Sequence, residues 1–137
     1  MNFTKILGID YGRRRIGVAI CGPLGIANPL TVITRKNNNV FDEFAEIIEE
    51  NDVSKIVMGL PKNMDNTEGE MVKEVKEFAQ ELQEKFDIPI DFCDERLSSW
   101  EAQNSLKRLG MSPSKRKKII DAVAAALILQ NYVDQQK

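Results

Sequence analysis

Acidic residues in three distant segments have the side-chain chemistry that a metal-dependent hydrolase requires. Asp10 ends one short apolar run, the adjacent Asp94 and Glu95 end another, and Asp121 lies in a mostly apolar helical stretch. Carboxylate oxygens are the preferred ligands of Mg²⁺ and Mn²⁺. Two such ions about 3.5–4 Å apart stabilise the attacking and leaving oxygens of an in-line displacement at phosphorus. These residue types predict that chemistry if the three segments meet in the fold.

The composition narrows the possible chemistry, because the 137 residues include no histidine. The commonest general base and the commonest zinc ligand are therefore absent, which excludes serine and cysteine hydrolases that need a histidine and zinc sites of the HEXXH type. Cys21 and Cys93 are far apart and form no CxxC pair, so we expect free thiols buried in strands. A hydrolase built on this chain must use carboxylates, lysine or a metal held by oxygen ligands.

Two of the acids also have ordinary structural interpretations. Asp10, close to Gly12, is consistent with a turn residue that bonds its own backbone. Asp121 is consistent with an ion pair to Lys117 or Lys118, one turn earlier in the same helix. An ionised carboxylate among apolar neighbours requires some such compensation. The sequence is consistent with these structural roles as well as with metal binding.

The elements that must position these acids begin with a predicted β-hairpin. The apolar runs Lys5–Ile9 and Ile16–Ile20 flank a turn, in which Gly12 would adopt a backbone conformation closed to other side chains. Leu30–Thr34 is rich in β-branched residues and predicts a third strand. These three strands should form an antiparallel meander.

Helices and strands are expected to alternate in the rest of the chain. The predicted elements are a helix over Val40–Asn51, a strand over Ser54–Met58, a helix over about Glu68–Phe86, a strand over Ile88–Cys93, and helices over about Ser99–Leu109 and Ser114–Val133. Thr67 and Glu70 have capping-box spacing at the start of the second helix.

The predicted fold class is α/β, in one domain over residues 1–137. Strands 4 and 5 each follow a helix and should join the sheet in parallel, giving a mixed five-stranded sheet with helices on both faces. Reactive groups gather at the carboxyl ends of parallel strands in such sheets. Small residues at Ala122 and Ala124–Ala126 should let the last helix approach the sheet closely and bring Asp121 over those ends.

Basic residues gather in three places, although the net charge is −2. They are Arg13–Arg15 in the hairpin turn, Lys107 with Arg108, and Lys115–Lys118. If they share the rim of the site, this distribution suits a phosphate backbone. The alternative for Lys115–Lys118 is a solvated helix start, although positive charge there opposes the helix dipole. Trp100 could stack on a base or pack in a core.

Four segments in order resemble the signature segments of the YqgF/RuvX family. They are DYGRRRIGVA (10–19), VMGLPKNMDNTEG (57–69), DERLSS (94–99) and DAVAAALIL (121–129). The family's members are described as Holliday junction resolvases or as pre-16S ribosomal RNA nucleases. The resemblance implies a ribonuclease-H-like fold, a phosphodiesterase dependent on Mg²⁺ or Mn²⁺, and a bacterial cytoplasmic protein. One departure is Asn66, where glycine is usual.

The resemblance also implies roles for particular residues. The family's acids carry over to Asp10, the Asp94–Glu95 pair and Asp121. Within the pair we favour Glu95, because its longer side chain reaches further from the strand end, so the predicted catalytic metal ligands are Asp10, Glu95 and Asp121. Asp94, Arg96 and Gly12 would support them, Gly12 by leaving space for phosphate; Arg96 could equally form a structural ion pair. The nucleic-acid-binding set is Arg13, Arg14, Arg15, Lys62, Asn63, Lys115, Arg116 and Lys117.

The leading functional hypothesis is cleavage of structured RNA in processing the 5′ end of pre-16S ribosomal RNA. Alternatives are a Holliday junction resolvase acting on DNA, a non-catalytic nucleic-acid-binding factor in ribosome assembly, and an ATPase or sugar kinase with a related hairpin. A resolvase that nicks two strands symmetrically would be a homodimer. The sequence has no apolar run long enough for a bilayer and no signal peptide, so we expect a cytoplasmic protein without a membrane partner.

Overall fold

A five-stranded mixed sheet forms the centre of the structure, a computed structural model that describes residues 5–36, 39–61, 69–94 and 104–136. The elements are β1 (Lys5–Asp10), β2 (Arg15–Cys21), β3 (Ala27–Thr34), α1 (Val40–Asn51), β4 (Val53–Leu60), α2 (Glu70–Phe86), β5 (Ile90–Asp94) and α3 (Pro113–Gln135). Residues 104–108 are also helical.

The sheet topology confirms the predicted fold class. The strand order is β3-β2-β1-β4-β5, with β1–β2 and β2–β3 antiparallel and β1–β4 and β4–β5 parallel. Ile9 pairs with Met58, and Leu60 pairs with Asp94. The carboxyl ends of the three parallel strands therefore lie at one edge of the sheet, where Asp10 is the last residue of β1.

Hydrophobic clusters cover both faces of this sheet, as alternating side chains require. On one face, Phe44 of α1 and Phe78 of α2 pack with Ile9. On the other face, Ile128 of α3 packs with Val57. The helices thus lie on both faces, and Cys21 and Cys93 are thiols buried in strands on the α3 side, as predicted.

Helix α3 lies against two glycines of the sheet. A Cβ atom added to Gly17 would lie 1.9 Å from the carbonyl oxygen of Asp121, and one added to Gly8 would lie 2.8 Å from Cβ of Leu129. Both distances are shorter than real Cβ contacts, so only glycine allows this approach. The prediction that the alanine-rich helix packs closely on the sheet is confirmed.

The third strand begins earlier than predicted, at Ala27 rather than Leu30. Val18 pairs with Thr31 and Ala19 with Pro29, so Leu30 is an extra residue in β3 at that point. Proline lacks an N–H donor and is tolerated in an edge strand. Pro29, which lies just before the predicted strand, is therefore inside a bulged edge strand.

Some other boundaries also differ from the predictions. Helix α2 begins at Glu70 with Gly69 as its N-cap, and no side chain caps it. Thr67 lies outside the described residues, as do residues 99–103. Strand β5 begins at Ile90. The N-cap of α3 is Ser112, whose hydroxyl accepts a hydrogen bond from the backbone N–H of Lys115 at 3.4 Å.

Candidate active site

Asp10 and Asp121 meet at the carboxyl edge of the sheet, on the face that α3 covers. Asp10 is the register partner of Gly17, and Gly17 contacts the backbone of Asp121. Gly8, which contacts Leu129 of α3, lies two residues before Asp10, so Asp10 belongs to the same face. The fold thus brings together two acids that are 111 positions apart in the chain.

Asp121 is paired with an arginine of the hairpin. Nε of Arg15 donates a hydrogen bond to Oδ2 of Asp121 at 2.8 Å, and the aspartate side chain is 24% exposed. The partner is therefore Arg15 rather than Lys117 or Lys118, which were the alternatives from sequence. A cation from a neighbouring strand compensates the part-buried carboxylate, and the guanidinium holds one of its oxygens in place.

The third acidic segment lies only partly within the described residues. Asp91 and Cys93 of β5 face α3, because Asp91 bonds Tyr132 and Cys93 packs in the α3 cluster. Asp94 consequently faces away from α3, since successive side chains of a strand alternate. Glu95 and Arg96 lie outside the described residues. Within the described ranges, no three Asp, Glu, Cys or His side chains cluster closely enough to hold a metal.

Gly12 has a different conformation from the one predicted. Among the described glycines, positive φ angles occur at Gly25 and Gly110 and not at Gly12. A Cβ atom on Gly12 would instead lie 2.3 Å from the carbonyl oxygen of Arg15. The hairpin turn needs glycine because the backbone folds back on itself there, and the chain's own carbonyl occupies the space next to Gly12.

The first of the three adjacent arginines is committed to helix α2. Nε of Arg13 donates to Oε2 of Glu74 at 3.0 Å. This hydrogen bond with Glu74 raises the pKa of the exposed Arg13 guanidinium and lowers the pKa of the Glu74 carboxyl. Since Arg15 is held by Asp121, the predicted arginine cluster is divided among different partners.

The basic start of α3 lies near the two acids. The helix passes Gly17 at Asp121, Gly8 at Leu129 and Lys55 at Tyr132, so it runs opposite to β1. The predicted binding residues Lys115, Arg116 and Lys117 precede Asp121 by one to two helical turns and are exposed or half-buried. They therefore extend towards the edge that carries Asp10. Lys62 and Asn63 lie outside the described residues.

Arg35 and Lys36 are basic residues of this region that the sequence reasoning missed. They follow β3, whose last residue Thr34 pairs with Arg15 at the start of β2. Nη1 of Arg35 donates to the carbonyl oxygen of Gly12 at 3.0 Å. The predicted antiparallel meander could have identified them, because a third strand that runs back along the second ends beside the first hairpin turn.

A polar cluster lies further along α3, away from the acids. The Nζ of Lys55 donates to the hydroxyl of Tyr132, which donates to Oδ2 of Asp91, and Lys55 also pairs with that oxygen at 3.0 Å. The hydrogen bonds from Tyr132 and Lys55 lower the pKa of Asp91, and those to Tyr132 and Asp91 raise the pKa of Lys55. This cluster links β4, β5 and α3.

None of the helices in the described ranges is long and apolar enough to span a membrane.

Similarity to known proteins covers almost the whole chain. A protein from Ligilactobacillus salivarius named "Putative pre-16S rRNA nuclease" is 44% identical over 135 residues, covering 95% of this chain and 92% of that protein. A protein of the same name from Thermoanaerobacter pseudethanolicus is 47% identical over 136 residues, covering 97% of this chain and 98% of that protein.

The fold is similar to that of RuvC, a ribonuclease-H-like protein. RuvC from Thermus thermophilus, solved in complex with a Holliday junction substrate, superposes with a TM-score of 0.57 at 14% identity, covering 97% of this chain and 95% of that one. The model of the RuvX family, described as Holliday junction resolvase, matches residues 4–135. The chain therefore belongs to the RuvX family.

Proposed function

We propose that this protein is a divalent-metal-dependent nuclease that processes the 5′ end of pre-16S ribosomal RNA. The observation that carries the proposal is the meeting of Asp10 and Asp121 at one edge and face of the sheet, beside the basic start of α3. The names of relatives 44% and 47% identical to this chain support the RNA substrate. Carboxylates next to cations suit hydrolysis of a phosphodiester backbone.

The donor chemistry of this edge fits Mg²⁺ or Mn²⁺. The chain has no histidine, and both cysteines are buried, which leaves oxygen donors. Asp10, Glu95 and Asp121 would hold the ions. We propose Glu95 rather than Asp94 as the third ligand, because the side chain of Asp94 faces away from α3 and a glutamate side chain reaches further than an aspartate. When bound, a pair of ions lowers the pKa of an attacking water and neutralises charge on the phosphoryl oxygens.

The remaining roles belong to the chain's own side chains. Arg15 fixes the orientation of the Asp121 carboxylate through its 2.8 Å hydrogen bond, so that the carboxylate does not need to reorganise during the reaction. Lys115, Arg116 and Lys117 would bind backbone phosphates next to the cleaved bond. We also propose that Asp94 and Arg96 support the metal ligands. Lys62 and Asn63 are proposed to contact the nucleic acid.

The decisive experiment compares wild type with Asp10→Asn on a labelled RNA that spans the 5′ boundary of 16S ribosomal RNA, in Mn²⁺ and in EDTA. We expect cleavage only by wild type and only with metal. Equal cleavage by both proteins, or no cleavage of any substrate by wild type, would contradict the proposal. In the second case, retained RNA binding would identify a non-catalytic assembly factor.

Resolution of DNA junctions is the second candidate, favoured by the family description and by the structural similarity to RuvC. The same comparison on a four-way DNA junction tests it. A resolvase should cut two opposing strands symmetrically and be a dimer in solution, because each nick needs its own site. Light scattering and mapping of the cut positions distinguish this activity from RNA processing.

A further inference from the structure

A basic cavity of about 550 Å³ lies between the hairpin turn and the end of β3. It is lined by four arginines, a threonine and a lysine: Arg13, Arg14, Arg15, Thr34, Arg35 and Lys36. The cavity adjoins the candidate active site, because Arg15 lines it and also bonds Asp121. An anion in the cavity is thus separated from Asp121 by the Arg15 side chain.

Three of the five cations already have partners within the protein. Arg13 bonds Glu74, and Arg15 bonds Asp121. The Arg35 guanidinium donates to the carbonyl oxygen of Gly12 and lies over the ring of Tyr11, 5.0 Å from its centroid. These three side chains form the wall of the cavity and are fixed by their contacts.

Arg14 and Lys36 are different, because no carboxylate of the described residues lies within ion-pair distance of either one. Both side chains are exposed or half-exposed at the cavity. The backbone of Arg14 is bonded to the residue before Lys36, since the N–H of Arg35 donates to the carbonyl oxygen of Arg14 at 3.0 Å. Two cations with no carboxylate partner among the described residues therefore lie close to each other along the backbone, one in the hairpin turn and one just after β3.

We infer that this cavity binds a backbone phosphate of the nucleic acid next to the cleaved one, through Arg14 and Lys36, with the exposed hydroxyl of Thr34 as a hydrogen-bond donor. The identity of the ligand rests on the proposed function. Like charges held close together repel, and a phosphate between them removes that repulsion. The cavity is large enough for a phosphate and its sugar, and the β2–β3 pairing fixes its distance from Asp121.

Salt dependence of RNA binding tests this assignment without relying on catalysis. Binding of a fluorescent RNA stem-loop is measured by anisotropy in EDTA, between about 50 and 200 mM salt. Each lost phosphate contact should reduce the slope of log K against log salt by about 0.7–0.9. We expect that reduction for Arg14→Gln and for Lys36→Gln, and roughly twice that reduction for the double variant.

The matched control is Lys73→Gln, which removes one charge from the exposed side of α2 and should leave the slope unchanged. Unchanged slopes for Arg14→Gln and Lys36→Gln, with normal binding by wild type, would overturn this inference and leave the nuclease proposal standing. Failure of wild type to bind RNA would overturn both. A parallel titration with inorganic phosphate distinguishes a backbone phosphate from a free phosphate ion as the ligand. If Arg14→Gln no longer bound inorganic phosphate but kept the wild-type salt slope for RNA, the cavity would be a site for the free ion, and the assignment would be overturned.

Discussion

Helix α3 is tied to the same face of the sheet by a polar contact at each of two places, and the contacts differ in how fully the carboxylate is satisfied. Near the start of the helix, Asp121 accepts one hydrogen bond from Arg15. Near its end, Asp91 accepts from both Tyr132 and Lys55, which also bond each other.

The difference separates a structural ion pair from a candidate ligand. The Asp91 cluster is closed, because its acid, base and hydroxyl bond one another. Among the described residues, Oδ2 of Asp121 takes one hydrogen bond whereas Oδ2 of Asp91 has two partners, and a second acid, Asp10, lies at the neighbouring register position. A carboxylate that lies beside a second acid is stabilised by further positive charge. A second acid at the neighbouring position, rather than burial, therefore distinguishes Asp121 as the candidate metal ligand.

The largest expected effect is on catalysis at the Asp121 end. Asp121→Asn should reduce cleavage more than about 100-fold, since even groups that only support a metal ligand are worth 10–100-fold. Tyr132→Phe removes a polar group at the other end of the same helix and should retain wild-type cleavage. Single-turnover cleavage of RNA measures both. Similar losses in the two variants would show that the two ends do not differ in function.

The next effect concerns the backbone contact at each glycine. Gly17→Ala places a methyl group against the Asp121 carbonyl and should destabilise the protein by about 2–3 kcal/mol, whereas Gly8→Ala, against Leu129, should cost about 1 kcal/mol. Urea denaturation gives both values. A Gly17→Ala variant as stable as wild type would mean that the start of α3 can move away from β2, which contradicts a rigid Asp121.

A smaller effect is expected on metal affinity when Arg15 is removed. Arg15→Gln frees Oδ2 of Asp121 and should raise the affinity for Mn²⁺ about fivefold, which corresponds to about 1 kcal/mol for a part-exposed ion pair. Arg14→Gln removes the same charge without touching Asp121 and gives the baseline for isothermal titration calorimetry. If the affinity for Mn²⁺ rose equally in both variants, Arg15 would act only through its charge and not through its hydrogen bond to Asp121.

The smallest effect is the pH dependence of the closed cluster. Because hydrogen bonds lower the pKa of Asp91, its contribution to stability is present above the unfolded value near 3.9 and is lost as the pH falls through the folded value. Asp91→Asn should flatten the acid limb of stability below about pH 4, by roughly 0.5 kcal/mol because the side chain is 53% exposed. Thermal melts across that pH range measure the effect. If Asp91→Asn and wild type lost stability equally as the pH fell, Asp91 would not contribute to the stability of the closed cluster.

The features of the fold that depend on local sequence patterns or on the ends of strands were predicted correctly. The bounds of α1 were correct at Val40 and Asn51, because a helical stripe of apolar residues has a clear beginning and end. The meeting of Asp10 and Asp121 followed from a strand end and a helix rich in small residues.

The features that were not predicted depend on how distant elements are aligned with each other. The Arg15–Asp121 pair joins residues 106 positions apart and is set by which residue of α3 lies over Gly17. No periodicity in either segment contains that information. Gly12 was correctly placed in the turn but for the wrong physical reason, since crowding by the Arg15 carbonyl, and not a positive φ, requires glycine there.

The bulged third strand has a consequence for how copies of the protein meet at high concentration. An open strand edge can template pairing with a strand of another molecule. On β3, Pro29 offers no N–H group, and the extra residue Leu30 interrupts the regular spacing of the backbone. Sheets of neighbouring molecules should therefore not extend one another along this edge, which protects a chain with an exposed edge from aggregation.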